Sequence, residues 1–348
     1  MDSVSQLALG AAVTLSTMGR RTAAWKAALW GGIAGTLPDL DAFIDHGDAI
    51  LNMVLHRSES HSLFYLTAFA LPFAWAVSRL NGEPALFRRW WLALWLALVT
   101  HPVLDWFTVY GTQLLLPFTN FPYAVGSLFI IDPLYTLPLL VGVVAALAMR
   151  PDRGLAWARG GLALSTAYIA WSVVAQHQAV QNIMASPPEP HLAPDQVLVT
   201  PAPFNTLLWR AVVVTPTHYY EGYSSLLDGG RPVRWTQHPR GAPLYARHQA
   251  SPLVQRVANF SHGFFKMTES GGHVFITDLR MGNEPTYTFH FNLGPAEHIA
   301  QGGHVTTQQW QRPDLATALP WLWQRMWGQD VVLAPAPLGA TVRQGNAE

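Results

Sequence analysis

The chain has 348 residues, half of them hydrophobic and 12% charged, with 21 basic and 21 acidic side chains and a formal net charge of zero. Soluble domains usually carry about 25% charged residues, so the composition points to a membrane protein, and the absence of a basic excess argues against a nucleic-acid surface. Cysteine is absent, which excludes disulfides, thiolate metal ligands and a cysteine nucleophile and leaves His, Asp and Glu as the strong metal ligands.

Apolar segments are predicted at residues 4–18, 23–37, 62–78, 90–109, 128–148 and 160–178. A membrane span needs about 20 residues, or about 17 if upright, so the first two are short and read either as two crossings or as a helical hairpin. Arg20 and Arg21 follow the first apolar stretch, the reverse of a signal peptide's charge order, so no cleavage is expected. Basic residues cluster at Arg20, Arg21 and Lys26, at Arg79, Arg88 and Arg89, and at Arg150, Arg153 and Arg159. These are alternate connections, which the positive-inside tendency assigns to the cytoplasm. Residues 38–61 and 110–127, the N-terminus and everything beyond residue 180 then face outward.

A Pro-rich polar stretch, SPPEPHLAPDQ, is followed by alternating runs such as WRAVVV, YYEGYSSLL, HVFITDL and TYTFHFNL, the pattern of half-buried strands. Helical patches fall at PLVQRVANF and DLATALPWLWQRMW. The second could be an interfacial amphipathic helix or core. The expected architecture is a mainly α polytopic bundle over residues 1–180, a linker at 181–196, a soluble α+β domain with an antiparallel sheet at 197–340, and a disordered tail at 341–348.

Ligand-type side chains gather at the ends of the apolar segments, all on the expected outer side: Asp39 and Asp41, His56 and His61, His101 and Asp105, and Asp132. His101 and Asp105 are i and i+4 and share a helix face, although Pro102 can kink it. Asp39 and Asp41 share a side only in an extended turn, and two adjacent carboxylates repel unless a cation or proton joins them. Ser60 is expected as the N-cap of the third apolar helix, with His61 in its first turn and His56 on the preceding loop. Asp132, before Pro133, also suits an N-cap. Each pair alone also suits a structural or solvated role. Together, three histidines and four aspartates favour one or two hard or borderline cations, zinc first.

The motifs GTLPDLD (35–41), HRSESHS (56–62), THPVLDWFTVYGTQLLLPF (100–118) and FIIDPLYTLPLL (129–140) resemble the YdjM-like inner-membrane proteins, a family taken to be membrane-bound metal-dependent hydrolases. The similarity continues into TPAPFNTLLWR, HYYEGYSSLLD and FSHGFFKM. It implies a polytopic helical domain with a metal centre from Asp39, Asp41, His56, His61, His101, Asp105 and Asp132. It also suggests a distant relation to the helical zinc phospholipase C and P1 nuclease class. Family members often carry His near the N-terminus where this chain has Gln6.

The expected activity is hydrolysis of a phosphoester in a lipid or envelope substrate at the outer face of a bacterial inner membrane. Asp41 or Asp105 would accept the water proton, Arg57 would pair with phosphate or lie at the lipid surface, and Glu59 is an acid or base by position. The rival expectations are an ion or solute transporter using intramembrane Asp and His, and a non-catalytic scaffold with a structural metal. The expected partners are the bilayer and a phospholipid or envelope molecule, without nucleic acid.

Overall fold

In the computed structural model all six apolar segments are helical. The structure describes residues 1–297, 299, 306–309 and 314–332, so the predicted tail at 341–348 lies outside the described residues. In chain order the helices are α1 (Ser3–Met18), α2 (Ala24–Thr36), α3 (Ala49–Leu55), α4 (Leu63–Leu80), α5 (Phe87–Trp106), α6 (Pro133–Ala148) and α7 (Pro151–Met184). Short 3-10 turns at Leu37–Phe43 and Glu59–His61 precede α3 and α4. The chain divides into two units, one of residues 1–46, 51–177 and 200–206, the other of residues 47–50, 178–199 and the described residues from 207 onward. Helix α7 runs unbroken to Met184, into the stretch read as linker.

Local chemistry sets the helix starts. The Asp2 side chain accepts from the backbone N–H groups of Val4 and Ser5 at the head of α1, and Asp132 accepts from Leu134 N–H before Pro133 at the head of α6, both N-caps in the usual sense. The cap of α4 is Ser62, whose hydroxyl accepts from Tyr65 N–H. Ser60, expected in that role, instead donates to Asp41 at 2.6 Å. His61 therefore precedes the helix rather than sitting in its first turn.

Helix α1 packs against α2, α5 and α6, and α5 against α1, α2 and α4, with Trp90, Ala93, Leu94, Ala97 and Leu98 of α5 buried. Helices α1 and α2 approach at backbone distance. A Cβ on Gly10 would lie 2.1 Å from Gly31 O, and one on Gly35 would lie 2.3 Å from Gln6 O. Small residues permit such contact where packing rather than water drives helix association. A similar seam joins α6 to α7, where a Cβ on Gly161 would lie 2.2 Å from Pro138 O. Outward-facing residues are apolar, including Phe69, Leu71 and Trp75 on α4 and Val141, Val144 and Leu147 on α6.

Among the described residues, α4 is the one helix long and apolar enough to cross a membrane; α1 and α6 are apolar but shorter. With 13 residues, α2 rises only about 20 Å, short of the ~30 Å hydrocarbon core.

After α5, residues 107–132 fold back over its end. Val125 N–H donates to Trp106 O and Leu128 N–H to Phe107 O. The same segment is stitched to residues 53–63: Tyr110 Oη donates to Met53 O, Gln113 N–H to Arg57 O and Leu63 N–H to Leu114 O. These bonds fix the path of the HRSESH stretch.

The second unit carries strands β1 (Val197–Pro201), β2 (Leu208–Val214), β3 (His218–Ser225) and β4 (Trp235–Pro239) in one sheet in that order. Helices α8 (Ala242–His248) and α9 (Pro252–Phe260) precede β5 (Phe265–Ser270), β6 (His273–Asp278), a small β7–β8 pair (Gly282–Asn283 and Thr286–Tyr287), β9 (His290–Pro295) and β10 (Thr307–Gln308). The second sheet runs β10-β9-β6-β5 with antiparallel pairs throughout. Helix α10 (Leu315–Met326) follows. The predicted alternating runs thus lie on strands, and PLVQRVANF is α9 itself.

The glycine seam yields a direct test. Gly35→Ala drives a methyl group into the α1 backbone, where no flexible side chain can yield, and is expected to destabilise by about 1–3 kcal/mol. Gly160→Ala, with open space around its Cβ, is expected to leave the thermal midpoint in detergent unchanged or raised; equal midpoints for both variants would count against the seam.

Candidate metal centre

Three short stretches converge on one point. The 3-10 turn after α2 delivers Asp39 and Asp41, the segment between α3 and α4 delivers His56 and His61, and the last turns of α5 deliver His101 and Asp105. Asp39, His61, His101 and Asp105 each offer one ligand atom to a common group, and Asp39, Asp41 and His56 form a second.

The ligand atoms of the first group all lie within 4.8 Å of one another. His61 Nε2 and His101 Nε2 are 3.1 Å apart. Asp39 Oδ1 lies 3.5 and 3.4 Å from these two nitrogens, and Asp105 Oδ2 lies 3.3 Å from each. Separations of this size suit donors that share one cation at about 2 Å, the length of a Zn–N or Zn–O bond.

Hydrogen bonding fixes what those nitrogens present. His101 Nδ1 donates to Gly35 O at 2.6 Å, since a carbonyl can only accept. Ser60 Oγ gives its proton to Asp41 Oδ2, so it accepts from His61 Nδ1 at 2.9 Å. With the Nδ1 positions so occupied, the two rings turn Nε2 toward each other, and each Nε2 bears a lone pair when its ring is neutral. Such an arrangement is repulsive unless a proton or a cation lies between. A proton joins one edge only, and Asp105 Oδ2 is buried with no hydrogen-bond partner. The donor set thus fits a metal ion.

The charges agree. Burial pushes the His61 pKa down, but the carboxylates of Asp105, Asp39 and Asp41 around the ring outweigh it and raise the pKa to about 9. Burial pushes Asp39 up, yet its bonds with His101 and His61 hold it below the usual carboxylate range. Asp41 is likewise held low, against burial, by His56 and His61.

Asp41 is almost fully engaged. Its Oδ1 meets His56 Nδ1 at 2.8 Å, and its Oδ2 accepts from Ser60 Oγ and from Arg57 N–H at 3.0 Å. Asp105 Oδ1 accepts from Gln6 Nε2 at 3.1 Å, from Arg57 Nη2 at 3.3 Å and from the Met1 amino group. Asp105 is thereby clamped on one oxygen and open on the other.

Three predicted residues stand elsewhere. Arg57 does not reach outward to phosphate or lipid: at 2% exposure it is buried, with Nη1 on Thr108 Oγ1 and its guanidinium 4.8 Å from the Tyr110 ring centre. Its φ of +63° belongs to the sparsely used left-handed region, and the turned backbone sends the side chain inward. Asp132 is in neither ligand group; its oxygens serve Leu134 N–H and Tyr168 Oη. Glu59 is exposed, accepts from Ser58 Oγ and belongs to neither group. Gln6, read only as a departure from the family pattern, lies at the centre: it bonds both Asp105 and His101 O. Its place on α1, on the side packed against Gly35, is the signal that could have found it.

Neither the curated proteins nor the solved structures yield a match. The profile of the YdjM inner membrane protein family matches residues 1–179, which hold every residue of both ligand groups. The chain belongs to the YdjM inner membrane protein family.

Proposed function

We propose that this protein is a polytopic membrane-bound metal-dependent hydrolase that cleaves a phosphoester of a lipid or envelope molecule at the outer face of the membrane, with zinc at Asp39, His61, His101 and Asp105. The observation that carries this reading is the pair of Nε2 atoms 3.1 Å apart, both 3.3 Å from a buried Asp105 oxygen that accepts no hydrogen bond. Two imidazoles and two carboxylates at such spacing suit zinc better than the harder cations. A bound zinc ion supplies Lewis acidity toward a phosphoryl oxygen and makes water nucleophilic near neutral pH.

The protein's own groups divide the work. Asp39 belongs to both ligand groups, and its side chain is 19% exposed while those of His61, His101 and Asp105 are at 0%. Asp39 is therefore the ligand on the side from which water would enter, while the oxygens of Asp41 and Asp105 are engaged or enclosed. Asp41 holds the His56–Ser60 loop in place, and Arg57 steadies Asp105 from inside. The half-buried group of Asp39, Asp41 and His56 offers three ligands, which leaves a coordination position for substrate if a second ion binds.

A structural ion is the second reading, favoured by one observation: four donors fill a tetrahedral shell, as in closed sites. Metal analysis and a phosphodiester and phospholipid hydrolysis screen separate the two. His61→Ala and Asp105→Ala are expected to lose the ion, and retention of full stoichiometry in both would sink the site. His56→Ala is expected to keep the enclosed ion while hydrolysis falls about 10–100-fold, the range for disturbed ligand support. Wild type fully loaded yet inert across the screen would favour the structural ion.

The same protonation gives a pH dependence. Metal must displace the proton that His61 carries below about pH 9, so apparent zinc affinity is expected to rise about tenfold per pH unit toward that value, with proton release. A chelator competition titration giving a flat profile between pH 6 and pH 8, on the order of one decade or less overall, would contradict the assignment.

A further inference from the structure

Helix α10 turns its apolar side the wrong way for a soluble domain. Leu315, Leu319, Trp323 and Trp327 follow one another at i+4 spacing and are 59%, 47%, 62% and 49% exposed. The two indoles touch edge to face, 5.7 Å between ring centres. The opposite side is tied down: Arg325 is buried with both terminal nitrogens 2.6 Å from the Asp228 carboxylate, and Trp321 packs against Tyr223 and donates to Val331 O. The helix is therefore fixed to its unit through Arg325 and Trp321 while the Leu and Trp row faces away.

We propose that this row seats α10 in the headgroup region of the bilayer, lying along the surface. A 12-residue helix is about 18 Å long, too short to span and the right form for an interfacial segment with one apolar side. Trp is the side chain that favours the membrane–water boundary, where its ring is apolar and its N–H is wet. At the Trp327 end, Arg231 donates to Gly328 O and Arg234 pairs with Asp330. Arg325 and Asp228 neutralise each other in the interior, so the exposed guanidinium groups of Arg231 and Arg234 stand against the one exposed carboxylate of Asp330, a small cationic excess suited to an anionic headgroup. The chain also supplies continuity: it belongs to an inner-membrane family, and α7 runs without a break from the first unit into the second.

The absence of cysteine makes the test clean. Leu319→Cys and, as the control on an exposed turn, Ser270→Cys are labelled with a fluorophore in full-length protein in vesicles of phosphatidylethanolamine and phosphatidylglycerol. A lipid-borne nitroxide near the headgroups is expected to quench the label at 319 several-fold more than that at 270, and an aqueous quencher to do the reverse. Trp323→Gln with Trp327→Gln in the Leu319→Cys background is expected to abolish the lipid quenching. Equal aqueous quenching at both positions would overturn the proposal. Shielding from both quenchers, with crosslinks between protomers through position 319, would overturn it in favour of a second copy.

Discussion

Two imidazole nitrogens held face to face, each with its proton on the far side of the ring, set the terms for the first unit. Gly35 O fixes the His101 ring and Ser60 fixes the His61 ring, so neither can turn away without losing a hydrogen bond in a buried place. Burying such a pair beside Asp39 and Asp105 is costly unless positive charge enters. The carboxylates of Asp39, Asp41 and Asp105 outnumber the single Arg57 guanidinium among the side chains of the cluster. With the Met1 amino group also set against Asp105, a negative excess remains for a bound cation to offset.

That constraint explains why the backbone contact between α1 and α2 sits where it does. Gly35 is both the acceptor for His101 and the residue against which Gln6 O packs. Gln6, one layer away, bonds Asp105 and the His101 carbonyl. A larger residue at position 35 would separate α2 from α1 and pull the acceptor from the ring. Helix packing and ligand orientation are therefore one problem here, solved by the missing side chain.

Much of this was legible in the sequence, and the failures are specific. The apolar runs became helices because their length and lack of charge leave the backbone no better partner than itself. Convergence of His56, His61, His101, Asp39, Asp41 and Asp105 could be inferred because charges at the ends of apolar runs are costly enough to need a reason. Asp132 looked the same by that argument, yet an Asp before Pro also makes an N-cap, and sequence alone does not separate the two roles. The expected cap, Ser60, gives its hydroxyl to Asp41, a contact distant in sequence, and Ser62 caps α4 in its place. Arg57 was misread because its direction depends on a positive φ, which no periodicity encodes. Gln6 bears no charge, so a search for charges passed over it.

The position of the cluster along the helices also limits its chemistry. His101 and Asp105 lie in the last turns of α5, where the carbonyl end of the helix dipole carries partial negative charge. Asp39 and Asp41 arrive on a 3-10 turn and add their own charge. Arg57, the cation that sequence would have offered to a phosphate, is turned inward and paired with Asp105. With Arg57 and the Met1 amino group both spent on Asp105, the remaining carboxylates and the helix end favour cations over anions at the centre. An anionic substrate gains attraction there only through a bound cation, so the same residues that bind metal would make phosphoester binding depend on it.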